Sequence, residues 1–380
     1  MRLLVTGGGT GGHVYPALAV IEALRADPAQ PLVSEDVAWV GERNSVEEGI
    51  VTRDGAGGDG PLAFHAIEAG ALRGANPFKA VRSLARLARG YRQARRIVDA
   101  FRPQVVLATG GYVSVPLALA ARQAGCGVLI YLPDMEPGLA VRWLARHADR
   151  VAVSFDSVAR HLPGANVVVT GYPVRRALFE TPRDAARRAL RLPEDGAVLL
   201  IFGGSRGAHA INRATRGALR GLLERADVVH VTGSGDYAAM EAFRQALDPA
   251  LRERYHPYAY LHGRMADALV ASDLVVARAG AATLGEFPAV GVPAVLVPYP
   301  YAGQHQHVNA DYLASRGAAV VVEDAALDGR LLPVVGELLD DGPRLQAMAQ
   351  AARRLAVRGA AGAIARHLVE LAAARGVETA

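Results

Sequence analysis

Four glycine-rich turns hold most of the chemistry legible in this chain. Each follows an apolar run. Gly7-Gly8-Gly9-Thr10-Gly11-Gly12 follows Leu3–Thr6, and Thr109-Gly110-Gly111 follows Val105–Ala108. Gly203-Gly204-Ser205-Arg206-Gly207 follows Ala197–Phe202, and Arg278-Ala279-Gly280-Ala281-Ala282 follows Leu274–Ala277. Glycine lets backbone N–H groups approach an anion, and a helix N-terminus adds partial positive charge. Phosphate recognition is the chemistry such turns serve, and four of them point to two anionic ligands. The first turn also satisfies the G-x-G-x-x-G dinucleotide pattern, a weak match among so many glycines. Its candidate ribose acid, Glu42, lies about 30 residues past the last glycine instead of roughly 20, which counts against a dinucleotide.

Two side chains beside these turns carry more specific chemistry. His13 falls in the first turn of a helix expected to start near Val14–Pro16. A helix N-terminus favours a neutral ring over a cationic one, so a proton acceptor suits that position. The alternative is a histidine that only hydrogen-bonds a loop carbonyl, and the two readings stand level. Glu286 completes Thr283-x-x-Glu286, which has the spacing of a capping box. Its functional alternative is a carboxylate accepting hydrogen bonds from ribose hydroxyls. Spacing alone favours the cap.

These residues need rigid elements behind them. Short apolar runs alternate with longer helical patterns, the signature of parallel α/β architecture. Further strands are expected at Val37–Val40, Val128–Tyr131, Arg150–Val153, Val167–Thr170, Val228–Thr232, Ala294–Val297 and Ala319–Val322. The halves echo each other: "RLLVTGGGTGGH" opens the first and "AVLLIFGGSRGAHA" the second. A charged stretch bracketed by prolines, "GYPVRRALFETPRDAARRALRLPEDG", separates them. The expected organisation is two doubly wound, Rossmann-like domains, 1–170 and 171–357, facing across a cleft. Ligands in such sheets bind at the carboxyl ends of the strands.

Composition narrows the class. The 380 residues are 51% hydrophobic and 21% charged, enough for a sizeable core. The single cysteine, Cys126, rules out an internal disulfide and a cysteine-based zinc site, and reads as a small buried hydrophobe. The chain is expected to enter a core strand at once, with no room for a signal peptide, and its apolar runs read as too broken to span a membrane. The formal charge of +5 is unevenly placed. No acid occurs between Gly70 and Val98, whereas Arg73, Lys79, Arg82, Arg86, Arg89, Arg92, Arg95 and Arg96 do. On a helical wheel most form one broad face, with Val81, Leu84, Ala88, Tyr91 and Val98 opposite. That face is either simply solvated or attracted to anionic lipid headgroups. Nucleic acid fits poorly, since no aromatics interleave and no nucleic-acid motif is present.

In order and spacing, the four turns resemble those of the MurG family of glycosyltransferases. "GGGTGGHVYPALAV" and "LGEFPAVGVPAVLVPYPYAGQHQHVNA" carry the resemblance, which runs from residue 3 to about residue 325. It implies a GT-B fold, an inverting reaction without metal or cofactor, UDP-N-acetylglucosamine as donor and a polyprenyl-pyrophosphate-linked sugar as acceptor. A peripheral position on the cytoplasmic face of the cell membrane is implied too, with a C-terminal helix, about 358–375, returning to the first domain. Carried over by motif, Glu286 would bind ribose, and Ser205 with the amides around Ala281–Thr283 would bind the diphosphate. Arg175 would neutralise that diphosphate. Gln306 with His305 would contact the sugar, and the backbone near His262 the uracil. Thr10 and His13 would face sugar and acceptor, His13 as candidate base. The turns at Gly11–Gly12 and at Thr109, Gly110, Gly111 and Tyr112 would hold the lipid pyrophosphate.

The chain departs from the family pattern in places. Tyr131-Leu132-Pro133-Asp134 stands where the family has His-Glu-Gln-Asn, Tyr172 where it has Asn, and Arg206 where it has Gln. Asp134 can accept from a donor-sugar hydroxyl but cannot donate as an amide does. These changes fall on the sugar and acceptor side, so a related transferase with another lipid acceptor stays open. A UDP-sugar epimerase with the same two-domain layout is the rival from another class.

Overall fold

Short, largely apolar runs of three to six residues form most of the strands, many of them buried on both faces, as parallel sheets require. The computed structural model describes residues 1–29, 31–53, 60–70, 77–204, 209–300 and 305–377. The chain forms two units, Met1–Arg175 with Val357–Ala380, and Arg176–Ala356.

The first unit holds β1 (Leu3–Thr6), β2 (Val37–Gly41), β3 (Ala63–Ala66), β4 (Val105–Ala108), β5 (Gly127–Leu132), β6 (Arg150–Val153) and β7 (Val167–Val169). They make one parallel sheet in the order β3-β2-β1-β4-β5-β6-β7. Alternation of side chains divides its core in two. Leu4, Val106, Val128 and Ile130 face the helices Pro77–Phe101 and Ser114–Gln123. Leu3, Val5, Leu107 and Leu129 face the helices Gly11–Arg25 and Ala360–Val377. Cys126 is buried just before β5, and burial pushes its thiol up.

The second unit holds β8 (Val198–Phe202), β9 (Asp227–Val231), β10 (Tyr255–Tyr258), β11 (Leu274–Ala277), β12 (Ala294–Leu296) and β13 (Ala319–Val321). These form a parallel sheet in the order β10-β9-β8-β11-β12-β13. Each sheet is doubly wound. The strand order reverses between β1 and β4 in the first and between β8 and β11 in the second, and ligands settle at such switch points.

The apolar runs locate eleven of these strands but not β3 or β10. Both are edge strands, only partly buried, and β10 contains Pro257, tolerated because an edge strand needs no donor on its outer side. The basic helix Pro77–Phe101 presents Arg86, Arg89, Arg92 and Arg96 to solvent, while Ala94 and Val98 pack inward. Ala88 is exposed, not packed. Arg73 and the side chains of Lys79, Val81, Arg82 and Leu84 lie outside the described residues. Among the described residues no helix is long and apolar enough to cross a membrane.

Candidate active site

In the first unit the turns after β1 and β4 lie side by side because their strands pair at the switch point. The Gly8 amide donates to the Gly110 carbonyl at 3.3 Å. Only glycines allow this approach: a Cβ on Gly7 would sit 1.9 Å from Thr109 Oγ1, and one on Gly111 2.8 Å from the Gly8 carbonyl oxygen. Thr109 is fully buried, and its hydroxyl donates to the His13 carbonyl at 2.6 Å, with the Thr6 carbonyl 3.3 Å away. Its side chain therefore holds the turns together and is turned away from solvent. Tyr112 is half-buried at the start of the next helix.

The helix begins at Gly11, earlier than expected, so His13 lies inside its first turn. The His13 Nδ1 is 2.9 Å from the Gly8 carbonyl and 3.5 Å from Thr10 Oγ1. A carbonyl only accepts, so Nδ1 carries a proton, and in the uncharged tautomer that leaves Nε2 as the lone-pair acceptor. Nε2 has no hydrogen-bond partner among the described residues. The ring edge lies over Gly110, at φ +115°, where a Cβ would meet Nε2 at 2.9 Å. The loop-carbonyl and acceptor readings thus belong to different nitrogens of one ring.

Arg175 is half-buried, its guanidinium 4.6 Å above the Tyr15 ring centroid. Its Nε and Nη2 are buried with no hydrogen-bond partner among the described residues. A guanidinium held by an aromatic face with donors unanswered is prepared for an anion. Tyr15 also packs beneath Gly11, so this cation stands near the N-terminus of helix Gly11–Arg25, in the first unit.

The departures at Tyr131 and Tyr172 meet. Their rings pack edge to face, 6.2 Å between centroids. Tyr131 is buried with its hydroxyl 2.7 Å from Ser154 Oγ, and burial holds its phenol well above the ordinary range. The Tyr172 hydroxyl donates to the Gly12 carbonyl at 3.4 Å. Asp134 follows, half-buried.

In the second unit the turn after β11 leads into the helix Thr283–Val290, with Ala281 and Thr283 buried and Glu286 9% exposed. The capping box does not form. Thr283 is the first helical residue rather than the cap, its hydroxyl donates to the Gly280 carbonyl at 2.8 Å, and the Glu286 amide donates to the Ala282 carbonyl. Gln306 accepts the Tyr299 amide at 2.9 Å through Oε1. His262 is exposed in left-handed backbone, φ +43°, its ring against Tyr260. His305 opens the helix His305–Ala314, its side chain outside the described residues, as is all of Ser205 and Arg206.

The model of the glycosyltransferase family 28 N-terminal domain matches residues 3–153, and that of the family 28 C-terminal domain matches residues 198–364. A Roseiflexus sp. (strain RS-1) relative is 43% identical over 96% of this chain and 94% of its own length. It is named UDP-N-acetylglucosamine–N-acetylmuramyl-(pentapeptide) pyrophosphoryl-undecaprenol N-acetylglucosamine transferase. The crystal structure of Acinetobacter baumannii MurG is similar with a TM-score of 0.70 and 27% identity, covering 97% of this chain and 99% of that one. The chain belongs to the MurG family of glycosyltransferases. A Listeria monocytogenes protein provisionally assigned as a UDP-N-acetylglucosamine 2-epimerase shares the fold alone, at TM-score 0.63 and 16% identity, covering 96% of this chain and 94% of that one.

Within this MurG-family chain two residues near the turns were given no role by the sequence reading. Arg278, directly after β11, is buried, pairs with Asp324, reaches the Val297 and Pro298 carbonyls, and lies 5.3 Å from the Tyr299 ring centroid. Asn309 is 1% exposed, donates to the Ala279 carbonyl at 3.1 Å, and leaves Oδ1 buried with no partner among the described residues. Its signal was present: Gln306 and Asn309 are three apart, on one helix face.

Proposed function

We propose that this chain transfers N-acetylglucosamine from UDP-N-acetylglucosamine to the muramoyl sugar of lipid I, undecaprenyl-pyrophosphoryl-muramoyl-pentapeptide, forming lipid II in peptidoglycan synthesis. The 43% identity to a relative bearing that transferase name, over nearly the full length of both chains, carries the reading. In the reaction an acceptor hydroxyl attacks the anomeric carbon from the face opposite UDP. A new C–O bond forms, the bond to the diphosphate breaks with UDP keeping the electron pair, and the configuration inverts. His13 Nε2 takes the hydroxyl proton. Its support is the tautomer set by the Gly8 carbonyl.

The second unit binds the donor. Glu286 accepts from ribose, a role that its place in the first turn of the helix following β11 supports. The amides of Ala281 to Thr283, with Ser205, hold the diphosphate. Gln306 and His305 meet the sugar, with Thr10, Gly11, Gly12 and Asp134 completing its surroundings, and the backbone at His262 receives uracil. Arg175 answers the charge developing on UDP, and its unpaired buried donors support that role. The first unit takes the acceptor's pyrophosphate at Gly11, Gly12, Gly110, Gly111 and Tyr112, with Thr109 bracing the turns. The protein works peripherally at the cytoplasmic face of the membrane, and the exposed arginines of helix Pro77–Phe101 support attraction to an anionic lipid surface.

The test is a transfer assay with labelled UDP-N-acetylglucosamine, a lipid I analogue and a panel of other lipid acceptors. Lipid I as the preferred acceptor is the expected result. Preference for another lipid overturns the acceptor, and a new sugar nucleotide formed from the donor alone overturns the transferase in favour of an epimerase.

A further inference from the structure

Glu47 is a buried carboxylate outside every role above. It lies in the helix Val46–Arg53 at 2% exposure. Oε2 accepts the Gly9 amide at 3.1 Å and Oε1 accepts the Glu42 amide at 3.4 Å. Gly9 belongs to the turn leaving β1 and Glu42 to the turn leaving β2, so one side chain ties two loops at the carboxyl edge of the sheet. Gly8 passes directly over it, since a Cβ there would come within 2.5 Å of Oε1. The turn after β4 closes the other side, through the Gly8–Gly110 hydrogen bond and the 2.8 Å approach that Gly111 permits. The Gly8 carbonyl, which receives His13 Nδ1–H, is therefore held between Glu47 and the second turn.

We propose that Glu47 is a positioning residue for glycosyl transfer: its carboxylate fixes the Gly8–Gly9 turn, and the turn fixes His13 with Nε2 free to take a proton. The inference rests on the catalytic reading of His13 given above. Both carboxylate oxygens accept, which suits two amide donors. A glutamine of nearly equal size offers one acceptor and turns an NH2 toward the second amide, so acceptance by both oxygens matters more than volume. Ligand placement follows as well. The Gly8 and Gly9 amides are already engaged, and a carboxylate lies beneath them. A pyrophosphate is consequently directed to the helix N-terminus at Gly11 and Gly12.

The experiment compares the full-length protein with Glu47→Gln by nitrogen NMR of labelled histidine rings, His13 being assigned by its loss in His13→Gln. In the unaltered protein His13 is expected chiefly as the Nδ1–H tautomer. In Glu47→Gln a substantial Nε2–H population is expected, with kcat reduced roughly tenfold or more and UDP affinity unchanged. A folded Glu47→Gln with unaltered His13 signals and kcat overturns the proposal. Should that variant not fold, hydrogen exchange at the Gly9 amide of the unaltered protein decides. Gly9 is exposed, so exchange slowed roughly tenfold or more supports the Glu47 tether, and exchange at the free-peptide rate overturns it. If His13→Gln keeps normal turnover, the base assignment fails separately, while the ring signals still judge the tether.

Discussion

The roles proposed for His13 and Arg175 are opposite, taking up a proton and neutralising a leaving anion, and each has a geometry that its variants can question. His13→Gln retains a polar side chain of similar reach but no basic ring nitrogen. Its kcat is expected to fall about 100-fold or more, with UDP affinity within about twofold, checked by steady-state kinetics and calorimetry. Near-normal turnover would remove His13 as base. Arg175→Ala removes donors that are buried and unpaired among the described residues, so little native hydrogen bonding is lost. Donor kcat/KM should drop about 10- to 100-fold while the melting temperature moves by only a few degrees. At this scale the sequence was partly legible. His13 beside a glycine turn announced itself, but the division of labour between its nitrogens depends on where the Gly8 carbonyl points. Thr283 and Glu286 had capping-box spacing, yet the helix starts at Thr283, which gives that hydroxyl to Gly280. Glu47 had no signal, because its partners are backbone amides of two turns that only folding brings together.

Elements were read best where a strand is buried on both faces. Leu3–Thr6, Val105–Ala108 and Leu274–Ala277 coincide with their expected runs, because burial along the whole strand favours a nearly unbroken apolar pattern. The edge strands Ala63–Ala66 and Tyr255–Tyr258 lack that pattern, since one side needs no partner and the faces are only half covered. Below the turn after β8, a polar network hidden from sequence joins β9 and β10 to the helix His209–Leu223. Asn212 donates to the Thr232 carbonyl and to Asp236, so its Oδ1 accepts from His230 Nε2–H at 3.0 Å, and His230 Nδ1 accepts from the Tyr255 hydroxyl at 2.9 Å. Burial pushes His230 down to about 3, Asp236 opposing weakly. The unfolded chain titrates this histidine near 6.5, so below that pH it takes up a proton that the native state refuses. The contribution to stability is complete above pH 6.5 and declines by about 1.4 kcal/mol per pH unit as pH falls toward 3. Denaturant melts at pH 7, 6 and 5 should give His230→Gln a shallower loss of stability than the unaltered protein, whatever its absolute stability. Equal slopes would show that His230 does not stay neutral in the native state.

Across the whole molecule the chain crosses between units twice, since residues after Val357 return to the unit formed by the first 175. The return has a physical cause in the sheet. One face of β4 and β5 is covered partly by helix Gly11–Arg25, and Ile364, Ala365, Leu368 and Ala372 of helix Ala360–Val377 fill the remainder. Gly127 lets this helix sit close, as a Cβ there would meet Leu371 Cβ at 3.1 Å. At its end Arg375 pairs with Asp149 at 3.1 Å, while Asp149 also accepts the Val128 amide. The family resemblance implied a C-terminal helix returning to the first domain, but its docking face depends on the gap that helix Gly11–Arg25 leaves. Removing residues 357–380 should therefore expose the first core and leave the second unit's core untouched. Ile364 and Leu368 are fully buried and contribute roughly 1.5–3 kcal/mol each, a large share of the stability of an ordinary domain. Calorimetry of the truncated chain should show the first unit melting at a lower temperature and the second near its original one, with UDP binding retained and transfer lost. A melt unchanged by the truncation would mean that the helix covers the sheet without stabilising it.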